Sequence, residues 1–233
     1  MRSNSYTLGF TALVTIILGI MLSAAATSLK DRQLLNEELD IKKNILASLN
    51  IAGTSGSKAS AEEVQQLFTD NIRSFVVGKD GNVIAGLNPD QIDPKTMVEV
   101  YPVYEKLLDG ATAGFALPIS GKGLWSSCYG YLALESDCNT VMGITFYKHG
   151  ETPGLGGEIE KEWFTANFSG KRIFDDNGDL VSIQVVKGAV NENSADAYHQ
   201  VDGISGATLT TKGLNIFIKQ DLNNYLPFLK QAH

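Results

Sequence analysis

The sequence predicts an α+β protein: a single N-terminal transmembrane helix, then one soluble domain with a mainly antiparallel sheet flanked by helices. Three observations carry that prediction. Residues Ser3 to Leu29 contain no charge. The second half of the chain alternates β-rich runs with turn residues. The C-terminal stretch carries an apolar stripe at helical spacing, formed by Leu214, Ile216, Phe217, Ile218, Leu222, Tyr225 and Leu226. On this reading residues 1–29 form a tip and membrane anchor, 30–59 a stalk helix and linker, and 60–233 the soluble domain.

Within the first segment Leu8 to Ala26 is long enough, at ~1.5 Å per residue, to cross a ~30 Å hydrocarbon core. Ala24 and Ala26 have the spacing of a signal-peptidase site, so cleavage is the alternative reading. The apolar run exceeds the ~7–15 residues of a signal peptide's apolar core, and only one Arg precedes it, which favours a retained helix. Arg2 on one side is balanced by Lys30 and Arg32 around Asp31 on the other, so flanking charge does not fix the orientation.

From Lys30 to Leu49, the residues Leu34, Leu35, Leu39, Ile41, Ile45, Leu46 and Leu49 recur near a 3.6-residue period, which predicts a helical stalk packing on the domain. Gly53 to Ser57 reads as a flexible break. Ser60 and Glu63 have capping-box spacing ahead of a short helix with Val64, Leu67 and Phe68. Lys79-Asp80-Gly81 marks a hairpin between Arg73–Gly78 and Asn82–Ala85. Pro89, Pro94 and Pro102 indicate loop, and Val100–Leu107 fits strand or helix.

Strands are expected at Phe115–Ile119, Trp125–Leu134 and Thr140–Tyr147, and a helix at Glu158–Phe168. Lys171–Phe174 and Leu180–Val186 enclose the acidic stretch 175–179. That stretch lacks the downstream Glu of an EF-hand, position 186 being Val, so it reads as a hairpin turn rather than a calcium loop.

Composition narrows the function. With 26 acidic against 19 basic residues the formal charge is −7, and no Lys/Arg cluster stands out, which argues against a nucleic-acid partner. An apolar content of 43% argues for a packed core. Two cysteines without a C-x-x-C, and three scattered histidines, give no pattern for a protein-held metal. No acid–base pair suggests a self-sufficient catalytic site, so no catalytic residue is assigned.

The most informative stretch is Asp202-Gly203-Ile204-Ser205-Gly206-Ala207-Thr208, followed by Leu209-Thr210-Thr211. Its glycines allow turns in which backbone amides converge on an anion. Its hydroxyls (Ser205, Thr208, Thr210, Thr211) stand at the start of the C-terminal helix, where free N–H groups and the positive dipole end suit a phosphate. From these residues alone, a Ser/Thr-capped helix after a Gly turn is the favoured reading of the stretch.

The Asp202-x-x-Ser205-Gly206-Ala207-Thr208 pattern resembles the flavinylation sequence of the FMN-binding domain family. That family is found in the C component of the Na+-translocating NADH:quinone oxidoreductase and in the G component of the ion-translocating ferredoxin:NAD oxidoreductase. The likeness extends over nearly the whole chain. It implies FMN attached through a phosphoester to Thr208, with Ser205, Gly206, Ala207, Leu209 and Thr210 around it. It also implies that Asp202 serves a separate flavin transferase, which uses FAD and Mg2+.

Glu151-Thr152-Pro153-Gly154-Leu155-Gly156 is similar to a second signature of that family, where the loop borders the isoalloxazine ring. Without the resemblance it is a Pro/Gly-ordered connection, and its glycines do not match a dinucleotide fingerprint. His149 beside it reads as a surface or capping residue. A third stretch, Gly121-Lys122-Gly123-Leu124-Trp125, lies near the flavin in the family; the residues alone would place Trp125 in the core. The resemblance implies that Trp125 edges or stacks on the ring and that Lys122 stabilises its negative charge or the phosphate.

The resemblance further implies an electron-relay subunit of a membrane redox complex, passing electrons to the flavin-bearing B component on the way to quinone. It implies a single-pass protein of the inner membrane, with a cytoplasmic tip and a periplasmic soluble domain. The G component of the ferredoxin:NAD complex, and an exported FMN-binding electron-transfer module outside a pump, are the alternatives. A non-redox adaptor whose S-G-A-T is only a helix cap is the remaining one.

The cysteines make a separate expectation. Cys128 falls early in one strand and Cys138 in the turn after it. Six residues at ~3.3 Å each put their α-carbons roughly 20 Å apart, beyond the ~7 Å reach of a disulfide. Both thiols are expected free, Cys128 buried and Cys138 more exposed.

Overall fold

The computed structural model describes residues 3–51, 59–89, 92 and 99–232. The expected break at 53–57 and Pro94 lie outside the described residues. Helix α1 (Asn4–Ser48) runs unbroken through both the expected anchor and the stalk. It is the one helix, among the described residues, long and apolar enough to cross a membrane. The chain divides into two compact units, Met1–Asp40 and Ile41–His233.

In the second unit, a five-stranded sheet forms an antiparallel meander in the order β1-β2-β3-β4-β5. Its strands are β1 (Ile72–Gly78), β2 (Val100–Leu108), β3 (Ala111–Lys122), β4 (Ser127–Glu135) and β5 (Val141–Lys148). The last turns of α1 are fastened to it. Ile45 and Leu46 are buried, Thr145 Oγ1 donates to the Asn44 carbonyl at 3.2 Å, and Lys106 Nζ donates to the Leu49 carbonyl at 2.7 Å. Helix α2 (Ala61–Asn71) starts with the expected capping box: Glu63 N–H donates to Ser60 Oγ and Ser60 N–H to the Glu63 carboxylate.

Helix α4 (Thr208–Ala232) packs on β3. Its Leu214, Phe217, Ile218, Leu222 and Tyr225 are buried, as the 3.6-residue stripe predicts, whereas Ile216 faces outward. Tyr225 is enclosed in the core, and its hydroxyl donates to the Pro102 carbonyl at 2.8 Å. Pro102 thus sits inside β2 rather than in a loop. It is tolerated there because the carbonyl of Val76, its partner on β1, accepts the Ile84 N–H instead, and the β2–β3 pairing begins only at Tyr104.

Several local expectations give way to tertiary context. The hairpin after Gly78 is reduced to one bridge, Val77 to Val83. The helix expected at Glu158–Phe168 is three short pieces: a 3-10 turn at Gly156–Glu160, α3 (Glu162–Thr165), and a second 3-10 turn at Ala166–Phe168. Lys161 is extended (φ −80°, ψ 141°) and interrupts the helical ladder. The Phe174/Leu180 hairpin is likewise a single bridge. Asp175 closes the acidic turn by accepting the N–H groups of Asn177 and Asp179 at 2.9 and 2.8 Å. Beyond it, β6 (Gln184–Val185) pairs in parallel with β7 (Gln200–Val201).

Trp125 lies before β4, in the turn where Gly123 N–H donates to the Ser126 carbonyl at 2.8 Å, and not in the strand. Neither cysteine is disulfide-bonded. Cys128 opens β4 opposite Gly121, and Cys138 follows the other end of that strand. Cys138 is fully buried, contrary to the exposed position expected of a turn residue. Its backbone takes φ 53°, and the side chain joins the core cluster that includes Val141 and Phe164.

Candidate functional site

The three motif stretches, distant in sequence, meet at the carboxylate of Glu151. Oε1 accepts the backbone N–H groups of Trp125 (2.9 Å) and Ser126 (3.2 Å). Oε2 accepts the Leu124 N–H at 3.2 Å and the Thr210 hydroxyl at 2.6 Å. The turn after β3, the loop after β5 and the first turn of α4 therefore share one anion. Glu151 is only 5% exposed. Burial pushes its carboxyl upward, but the Thr210 hydroxyl and the three amides more than offset this and hold it below its ordinary value. Gly156 is buried against the Glu151–Thr210 hydrogen bond, where a Cβ would touch both side chains.

His149 supports this loop: its Nδ1 accepts the Glu151 N–H at 3.2 Å, and its Nε2 pairs with Glu160 at 3.1 Å. It caps, as expected, but is half-buried rather than on the open surface. The Thr152 carbonyl accepts the N–H groups of Leu155 and Gly157 at 3.1 and 2.9 Å, and Gly154 turns the chain with φ 75°. This delivers Leu155 to the S-G-A-T turn, where its Cδ2 occupies the space beside Gly206 (φ 76°). Trp125 is 70% exposed and Leu155 43%, and Leu124 and Leu209 are also exposed. The core placement of Trp125 is thereby set aside.

The hydroxyls of the motif separate by burial. Thr210 and Thr211 are 1% and 6% exposed, and both donate internally, Thr210 to Glu151 and Thr211 to the Ala207 and Thr208 carbonyls. Ser205 and Thr208 are exposed, Thr208 being the first residue of α4. Both line a groove of 630 Å3 whose far wall is Val185, Val186, Lys187 and Gly188. Thr211, Lys212 and Asn215 from α4, with Gly203, Ile204 and Gly206 of the motif turn, complete it.

Lys187 and Lys212 thus bring two cations to a helix N-terminus that already favours an anion. Sequence reasoning named Lys122 and missed these two. Lys122 is exposed at the end of β3, with its carbonyl against Gly213. The signal for Lys212 and Asn215 was present in the helical period, since they follow Thr208 at i+4 and i+7. Lys187 had no such signal. Asp202, for its part, is half-buried and accepts the Val190 N–H on Oδ1 at 2.8 Å.

An exposed hydroxyl at the start of a helix, a groove of ligand size beside it, two lysines and an exposed apolar shelf fit the requirements of a flavin mononucleotide: an attachment point, an anion site and a flat apolar contact.

The comparisons with known proteins agree with this chemistry. Residues 123–223 match the FMN-binding domain family model. The chain is similar to a Pseudomonas aeruginosa protein named as the C component of the Na+-translocating NADH-quinone reductase, 38% identical over 92% of this chain and 89% of the relative. A Yersinia pestis protein of the same name is 36% identical over 98% of this chain and 94% of its own length. Among solved structures, the same component from Parabacteroides distasonis superposes with a TM-score of 0.75 at 34% identity, covering 86% of this chain and 96% of that one. Shewanella oneidensis NqrC gives 0.70 at 27% identity over 83% and 96%.

Proposed function

This chain belongs to the NqrC family, the C component of the Na+-translocating NADH-quinone reductase and a redox subunit of a multisubunit complex, and from that premise we propose that it relays electrons through an FMN joined by a phosphoester to Thr208. The observation that carries the proposal is the sorting of hydroxyls: Ser205 and Thr208 stand exposed in the groove and Thr208 opens α4, while Thr210 and Thr211 are buried and already hydrogen-bonded; the position in the family motif selects Thr208 over Ser205. When bound, FMN supplies one- and two-electron transfer, and the protein supplies orientation and electrostatics.

Each side chain then has a definable part. Lys187 and Lys212 offer positive charge to the phosphate and to negative charge on the cofactor. Leu155, Trp125 and Leu209 offer an apolar face from which the ring displaces water. Glu151 keeps the Trp125 turn and the α4 N-terminus in register, acting on the cofactor through the elements it holds. The helix α1 anchors the chain in the membrane; the soluble domain lies on the periplasmic side of the inner membrane. There it is the substrate of a flavin transferase during maturation and passes electrons toward the flavin-bearing B component of the complex. Family membership favours this quinone-reductase role over the ferredoxin:NAD alternative.

Intact mass of the full chain, expressed with a flavin transferase, tests the attachment. The expected increase equals one FMN less one water, located on the Ser205–Lys212 peptide and absent from Thr208→Ala. Flavin held only non-covalently, or attached to Ser205, Thr210 or Thr211, would overturn the assignment.

A further inference from the structure

The far wall of the groove is an irregular segment, and four sets of hydrogen bonds decide where it stands. Asn215 from α4 mimics a neighbouring strand: its Oδ1 accepts the Val185 N–H at 2.8 Å, and its Nδ2 donates to the Val185 carbonyl at 3.0 Å. Val186 N–H donates to the Val201 carbonyl at 3.0 Å, and Gly203 N–H to the Gly188 carbonyl at 2.7 Å. The last tie is Asp202 Oδ1, which accepts the Val190 N–H at 2.8 Å. Gly203 is required by the same contact: a Cβ there would run into the Val186 carbonyl, so the two segments approach more closely than any other residue permits. The Asp-Gly pair that opens the flavinylation motif is therefore tied to the wall carrying Lys187.

We propose that Asp202 is a positioning residue whose carboxylate fastens Val190, two residues beyond the Val185–Gly188 wall of the groove, and that it acts on FMN attachment through that wall rather than as a charge offered to the attaching enzyme. This rests on the attachment of FMN at Thr208. A carboxylate that serves as a recognition charge has no need of a particular backbone partner. Asp202 is instead half-buried, with an oxygen committed to a specific amide inside its own domain. An amide side chain can accept the same hydrogen bond without the charge, which makes the two roles separable.

The experiment compares wild type, Asp202→Asn and Asp202→Ala as full chains expressed with a flavin transferase. FMN attachment is read by intact mass over time, and the Val190 amide by hydrogen exchange. Asp202→Asn is expected to attach FMN within about twofold of wild type and to keep Val190 protected, because the acceptor survives. Asp202→Ala is expected to lose about tenfold in attachment and about tenfold in Val190 protection, the scale of one lost hydrogen bond to a charged acceptor. Loss of attachment in Asp202→Asn with Val190 still protected would show that the enzyme uses the charge and would overturn the proposal. So would wild-type attachment in Asp202→Ala. A wild-type chain without FMN on Thr208 would instead sink the attachment site itself, and the Val190 exchange would still decide whether Asp202 holds the wall.

Discussion

Replacing Glu151 by Ala should cost stability mainly through a single stranded hydroxyl. Thr210 Oγ1 is 1% exposed and donates to Glu151 Oε2 at 2.6 Å, so without the carboxylate it loses its acceptor where water has little access. Stranding a buried donor costs about 1–3 kcal/mol. The amides of Leu124, Trp125 and Ser126 belong to a turn that reaches solvent, and water replaces most of what they lose. A total of about 3 kcal/mol is therefore expected, of which about 2 is coupled to Thr210.

The assay is a double-mutant cycle of Glu151→Ala, Thr210→Val and the pair, measured by denaturant unfolding of the full chain in detergent. Thr210→Val keeps the shape of the side chain and removes the donor, so the pair should be more stable than the sum of the single changes allows. Additivity within about 0.5 kcal/mol would refute the account of Glu151 as the joint between the loop and α4. The pH dependence gives an independent sign. The Glu151 carboxyl is held below its ordinary value of 4.5, so its contribution is complete above that value and is lost as pH falls through the folded value. Glu151→Gln has no such dependence, and the gap between it and wild type should narrow in acid.

The opposite sign is expected at Asp221, where burial, partly offset by the Ser120 N–H, raises the carboxyl from 3.8 to about 7. Stability from the neutral form is complete below 3.8 and is lost as pH rises through the folded value, with a ceiling of about 4 kcal/mol. Asp221→Asn, which still accepts the Ser120 N–H, should therefore be the more stable protein at about pH 8 and lose that advantage below about pH 4; a constant difference would contradict this. Burial pushes the thiols of Cys128 and Cys138 up to about 12 and about 11, aided by the charges of Glu151 and Asp137 respectively. Both should resist labelling at neutral pH in the folded protein, and both should label once unfolded without reductant. Fast native labelling of Cys138 would contradict its burial, and no labelling after unfolding would reveal a disulfide.

The features legible in the sequence are those whose physics is local. An uncharged run announces the long apolar first part of α1, and a 3.6-residue period announces α4 and the end of α1 that packs on the sheet. Alternation and turn residues announce β3, β4 and β5, and Ser60 with Glu63 announces the start of α2. The motif around Thr208 carried the resemblance to the FMN-binding domain family, which the family match bears out. Tertiary structure decided the rest, because burial and hydrogen bonding depend on which elements approach one another. The Glu151–Thr210 bond spans 59 positions. The motif singles out Thr208 by resemblance, but no local pattern shows that Thr210 and Thr211 are enclosed; only packing against Glu151 and the α4 backbone buries those two. Lys187 reaches the groove because Asn215, Gly203 and Asp202 hold an irregular segment against α4 and the motif turn. Cys138 occupies a turn, which by sequence alone means solvent, yet the core closes over it.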